Sequence, residues 1–233
     1  MLLRASSYTS VVLSTLTLLG YLSTNLSTVE AHSWLACCDW RFKNPGSNKW
    51  GDGDGECHGY ARRYPLKGEF YSLDSANPSR HYQQDHVKDP LPCSDHKAGK
   101  DVGADETKAD PIEAAYGGSK YGPMTETRVG QELCLRWPAK NHAEDNENDT
   151  EVQVYLSKNK DSPDPTKQSQ LKDSFRVDLK FKNCNSAKNS DRRPCGGCFT
   201  VPPRAAGYYL LQWRWELNPD EWYTSCAVIN LAS

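Results

Sequence analysis

A chain of 233 residues with 28 Lys and Arg against 30 Asp and Glu carries a formal net charge of −2, which argues against a nucleic-acid binder. Hydrophobic residues make up 37% and mean hydropathy is −0.78, so a small core carries much polar loop. The 12 Tyr and 7 Trp against 2 Met favour strands and a carbohydrate-facing surface over a helix bundle.

The first residues read as an export signal. Met1-Leu2-Leu3-Arg4 supplies a positive charge, Val11–Leu22 is a short apolar and hydroxyl-bearing run, and Val29-x-Ala31 puts small residues at −3 and −1 of a cleavage site. The run is about a dozen residues where a membrane-spanning helix needs about twenty, which disfavours an anchor. No later apolar run could cross a membrane. The expectation is a secreted, extracellular protein: residues 1–31 a signal peptide, residues 32–233 one domain of 202 residues after 31 are removed from 233.

Cleavage after Ala31 changes the chemistry of His32. An internal histidine offers one imidazole, whereas a terminal one also offers a free amine, and amine and Nδ1 can close a six-membered chelate ring. Reference pKa values of about 7.7–8.0 and about 6.5 let a metal displace both protons near neutral pH. Nitrogen donors in a plane suit Cu(II), which tops the affinity order of divalent first-row metals. A single histidine is a weak signal, so a second ligand is needed.

Downstream, Ser33–Trp40 is short and mixed, and from Trp40 to Gly130 the pattern fails among Gly, Pro, Asp, Asn and Lys, as in "NPGSNKWGDGDGE". Loops of that length are functional or disordered unless stapled, and Cys57 and Cys93 argue for staples. Period-two alternation then marks strands. Gln131–Trp137 puts Leu133, Leu135 and Trp137 on one face. Glu151–Leu156 does so with Val152, Val154 and Leu156, and Ser174–Phe181 with Phe175, Val177, Leu179 and Phe181. Lys158–Lys172 reads as a polar surface loop. Tyr208–Glu216 aligns Tyr209, Leu211, Trp213 and Trp215, and Glu221–Leu231 closes the chain. Short strands without an amphipathic helix predict an all-β sandwich with long disulfide-stapled loops.

All 9 cysteines lie after Ala31, so an exported chain forms four disulfides and leaves one thiol, with pairing open. "CGGC" at Cys195–Cys198 lacks a partner CxxC at zinc spacing and a surrounding βαβ unit, which favours structural bridges. Asn148-Asp149-Thr150 is a glycosylation sequon.

"LRWPAKNHA" places His142 in a turn just past a strand that Pro138 stops, where a rigid element can aim a side chain. His58, His81, His86 and His96 lie in loop-rich sequence and are expected at the surface. In "EWYTSC", Glu221 and Tyr223 share one strand face, and Trp222 and Cys226 share the other, available for the core and a disulfide. A carboxylate beside a phenol, near two histidines, is the make-up of a metal site with an adjoining polar group.

Terminal His32, "WPAKNHA" with His142, and "EWYTSCAVINL" with Glu221 and Tyr223, in that order, resemble a lytic polysaccharide monooxygenase. The resemblance implies an immunoglobulin-like β-sandwich and one copper ion, held by the amine and imidazole of His32 and the imidazole of His142. Tyr223 would be the axial residue and Glu221 the neighbour that interacts with bound oxygen species. It further implies an external electron donor, either a small molecule or a protein reductant, with O2 or H2O2 as co-substrate. The expected partner is a cell-wall polysaccharide, with no nucleic acid and no membrane, and the protein a monomer. "HSWLACCDW" and "LRWPAKNHA" look most like a pectin-active family of plant pathogens, which points to homogalacturonan. Such a polyanion wants cations, and Arg62 and Arg63, with Lys67 and Arg80 in the same region, are the candidates, although the acidic run Glu144–Asp149 cuts against them.

Competing readings use the same chain differently. A non-catalytic wall-binding module would use Trp50, Tyr116 and Tyr121 and would need neither copper nor a free His32 amine. A copper-handling relative would keep the metal site without lytic activity. A glycoside hydrolase needs two opposed carboxylates, and the sequence nominates no pair.

Overall fold

The computed structural model describes residues 33–46, 50–67, 80–97, 103–140, 142, 150–184 and 194–233. All of these fall in one unit, Ala31–Ser233. Residues 1–31, with the expected signal peptide and cleavage site, lie outside the described residues, as do His32 and Asn148.

The long alternating segments become the strands of one large sheet. β6 (Glu151–Leu156), β7 (Phe175–Lys180), β9 (Gly207–Asn218) and β10 (Glu221–Ala232) lie in the order β10-β9-β6-β7. The far edge of β10 takes two short strands from the region where alternation fails. β3 (Gln83–Asp85) pairs antiparallel with its start, and β4 (Thr125–Arg128) pairs parallel with its end. A second layer pairs β5 (Glu132–Pro138) with β8 (Pro194–Thr200), and β1 (Trp40–Phe42) with β2 (Gly55–Cys57) makes a small separate ribbon.

Leu133, Leu135 and Trp137 of β5 meet Val152, Val154 and Leu156 of β6 and Leu211, Trp213 and Trp215 of β9 in one core. The result is the expected all-β sandwich, two sheets facing through interdigitated side chains in the immunoglobulin-like manner. Its described residues include three short 3-10 turns and no α-helix, and no helix among them is long and apolar enough to cross a membrane.

β5 departs from simple alternation: its outer face is buried too. The chain start runs along it, with the Ala36 and Cys37 amides donating to the Arg136 carbonyl at 2.9 and 3.1 Å. Arg136 itself lies 4.8 Å from the Trp40 ring centre.

Four disulfides form, and Cys38 is the remaining thiol, buried in the core. Cys134–Cys198 and Cys184–Cys195 use both cysteines of "CGGC" as staples, as expected. Cys37–Cys57 fastens β2, and Cys93–Cys226 fastens the segment after β3 to β10.

The loops are also pinned by buried charge. Glu106 is 1% exposed; its carboxylate accepts the Cys226 amide at 2.7 Å and faces Arg80 at 3.4 Å. Lys158–Lys172 is more than surface, because Asp164 receives both terminal nitrogens of buried Arg62. Burial pushes the Glu106 carboxyl up to about 7, against the pull of Arg80, the Cys226 amide and Arg62. Raised above its ordinary value, this carboxyl binds protons more readily in the folded than in the unfolded chain. Its contribution is therefore full on the acid side of the carboxylate range and is lost as pH climbs toward 7. Glu106→Gln should cost more stability at pH 5 than at pH 7.5 in urea unfolding; an equal cost at both would contradict this.

Candidate metal centre

Tyr223 and Trp215 pair across β10 and β9, and alternation turns both into the sandwich, where they are 1% exposed. Their ring centres are 5.4 Å apart. Phe181 stacks on the same indole at 3.9 Å, and the indole N–H donates to Thr150 Oγ1 at 2.6 Å, so the ring has little freedom.

His142 sits on this aromatic wall. β5 ends at Pro138, one residue beyond the expected stop, and the chain turns through Ala139 and Lys140, whose φ is 53°. The His142 amide donates to the Ala139 carbonyl at 3.1 Å. The imidazole is 7% exposed, with its ring centre 5.6 Å from that of Trp215.

Glu221 and Tyr223 share a face as expected, but it is Tyr223 and not Trp222 that packs into the main core, while Cys226 forms the expected disulfide; the Tyr223 hydroxyl donates to Glu221 Oε1 at 3.0 Å. The Gln83 amide donates to the same oxygen at 2.6 Å, and the Asn218 amide donates to Oε2 at 2.6 Å. These donors come from β3, from the end of β9 and from β10 itself, so sheet register fixes the direction of the carboxylate.

His81 corrects the expectation of a surface histidine: it is 5% exposed, with its ring centre 6.0 Å from that of Tyr223. The signal was available in "HYQQD", where His81 and Gln83 alternate onto one face. Those residues are polar, so hydrophobic patterning passed over them. His58, His86 and His96 are exposed, as expected.

The first described residues run to the same place. Ser33 Oγ donates to the Pro138 carbonyl at 2.8 Å, Lys140 Nζ lies 5.8 Å from the Trp34 ring centre, and the Leu35 amide donates to Ser225 Oγ at 3.1 Å. Residues 33 to 35 thus touch both the turn that carries His142 and the strand that carries Tyr223.

Other expectations fail. Arg62 is 1% exposed, and its guanidinium is spent on Asp164 and the Glu106 carbonyl, so it cannot meet a polymer at the surface. Arg63 is turned to Asp105 and Thr107, and Arg80 lies buried 4.3 Å from the Tyr64 ring centre. Of the aromatics a wall-binding module would display, Trp50 is 1% exposed and the Tyr116 hydroxyl accepts the Val228 amide at 2.7 Å. Burial drives that phenol's pKa well above its ordinary value.

Of these groups the imidazole is the one that suits a transition metal better than calcium or magnesium, which want a shell of oxygens. One imidazole is not a complete ligand set, so a metal held here would need a further nitrogen donor. Among the described residues the one group of three His, Cys, Asp or Glu donors close to one another is Glu132 with Cys134 and Cys198, and it is disqualified because its two sulfurs form a disulfide.

No protein-family model and no curated protein matches the sequence. Among solved structures, an AA10 lytic polysaccharide monooxygenase from Streptomyces lividans aligns at 16% identity and a TM-score of 0.43, over 65% of this chain and 82% of its own. A cellulose-active lytic polysaccharide monooxygenase in complex with copper aligns at 14% and 0.42, over 65% and 74%. Bacillus amyloliquefaciens CBM33 in complex with Cu(I) aligns at 14% and 0.41, over 73% and 84%.

The hydrogen bonds around Glu221 make a ranking testable. Tyr223→Phe deletes one of three donors to the carboxylate and should cost about 1 kcal/mol in urea unfolding. Glu221→Ala leaves the buried hydroxyl and the Gln83 amide without their acceptor and should cost about 2–3 kcal/mol. The reverse order would mean that the carboxylate is not what organises these groups.

Proposed function

We propose that the mature protein is a secreted, copper-dependent lytic polysaccharide monooxygenase acting on a plant cell-wall polysaccharide, homogalacturonan in particular. The observation that carries the metal reading is the Ser33–Pro138 hydrogen bond. His32 is one peptide bond ahead of Ser33, a span of about 3.8 Å between α-carbons, and His142 is four residues past Pro138. On this reading a chain processed after Ala31 would begin one residue ahead of Ser33, whose hydroxyl is bonded to the strand end that leads into the turn of His142.

In this reading the His32 amine and imidazole and the His142 imidazole hold one copper ion, with Tyr223 alongside. Copper bound there would supply one-electron chemistry, fed by an external reductant with O2 or H2O2 as co-substrate. The chain's own contribution is orientation. Trp215, braced by Phe181 and Thr150, limits how the His142 ring can tilt. Tyr223 fills the wall behind it with its hydroxyl committed to Glu221. Gln83 and Asn218 hold the carboxylate so that it can present or accept a hydrogen bond in a fixed direction. The homogalacturonan assignment rests on the resemblance of "HSWLACCDW" and "LRWPAKNHA", and Arg62 gives it no support.

The deciding comparison is the mature protein with an authentic His32 terminus against the same protein with one residue added ahead of it. The addition blocks the amine, and copper affinity should fall by more than the about 10–100-fold that losing an outer partner of a metal ligand costs. Oxidised products from pectic, cellulosic and chitinous substrates, assayed with a reductant, should disappear. Equal copper affinity in the two forms would remove the amine from the ligand set and the proposal with it.

A further inference from the structure

The face of the large sheet that turns away from the core carries an arginine that makes no ion pair with the described residues. Arg214 of β9 lies next to Trp222 of β10, its guanidinium carbon 3.6 Å from the indole centre. Its Nε is buried and makes no hydrogen bond, and among the described residues no carboxylate lies within ion-pair distance of it. Burial lowers its pKa to about 10. Glu216 and Asp220 lie near enough to favour its charge, but neither reaches ion-pair distance, so a guanidinium partly stripped of water keeps an unused Nε, which is costly unless something else completes it.

What surrounds Arg214 is a concavity of about 510 Å³ whose rim includes Trp222, Tyr155, Lys88 and Lys172. Lys88 and Lys172 are exposed. Two acids also line it. Asp89 is engaged by the Ser169 amide at 2.7 Å and hydroxyl at 2.8 Å, and Asp220 is exposed at the β9–β10 turn. Three cations face these two acids, with Glu216 of β9 close by, so the charges are near balance; what the hollow offers an anion is the unengaged guanidinium, with an indole and a phenol in the wall.

We infer that this hollow binds a carboxylate-bearing saccharide, with the acid group on Arg214, flanked by Lys88 and Lys172, and the sugar ring against the Trp222 and Tyr155 rings. Guanidinium meets carboxylate through paired hydrogen bonds, and aromatic rings supply rigid apolar area at low entropic cost. Trp222 sits between Glu221 and Tyr223 in sequence but on the opposite face of β10, so the hollow and the candidate metal centre are separate sites. Binding here requires no copper and no turnover.

The test is calorimetric titration of the mature protein, without reductant, with tetragalacturonate, with neutral cellotetraose and with citrate. Tetragalacturonate should bind with an affinity that falls as salt rises, and Arg214→Gln should weaken it about tenfold, the loss of one charge-assisted interaction. Lys88→Ala with Lys172→Ala should weaken it too, and this pair decides the matter if Arg214→Gln does not fold. Unchanged affinity in these variants overturns the proposal, as does a loss that follows His142→Ala instead, which would put binding at the metal centre. Cellotetraose binding as tightly as tetragalacturonate removes the carboxylate from the account, and citrate binding as tightly removes the saccharide.

Discussion

Trp215 and Tyr223 face the core side by side on β9 and β10, and each group of the candidate centre leans on one of them. His142 packs on the indole, His81 on the phenol ring, and the phenol hydroxyl reaches Glu221. The longest ladder in the molecule sets the spacing of these two rings, so the centre inherits its rigidity from backbone pairing rather than from the loops around it. Loops bring His142 and the chain start to that wall, but they do not determine where the wall is.

Such a division of labour explains which parts of the molecule were legible in its sequence. Glu151–Leu156 was read to the residue, and Phe175–Lys180, Gly207–Asn218 and Glu221–Ala232 nearly so, because each has one apolar face and alternation reports it. β8 was missed. Its Gly196 and Gly197 pass so close to Trp50 and Leu179 that a Cβ would collide with either, so the strand had to give up the side chains that would have announced it. β3 was missed for a different reason. Gln83 is polar and spends its amide on Glu221 instead of burying apolar area, and a three-residue strand has no period to detect.

The arginines show the limit of reading charge from sequence. Arg62 stands beside another arginine in loop-rich sequence, and Arg214 stands between two tryptophans of a strand, yet neither context tells what each guanidinium meets. One is sealed in a network with Asp164 and Glu106 that holds loops to β10, and the other lies in a concavity where no acid among the described residues reaches ion-pair distance of it. Partners from distant segments make the difference: Asp164 is 102 residues from Arg62 in the chain. The same holds for Glu106, which meets the Cys226 amide 120 residues away. His142, by contrast, could be nominated because the strand before it and the proline at its end are local features.

The most direct test of the central claim is electron paramagnetic resonance of the secreted protein loaded with one equivalent of Cu(II). A cation shared between the processed terminus and His142 predicts hyperfine coupling to three nitrogens, with one lost in His142→Ala. An unchanged copper spectrum in that variant would contradict it.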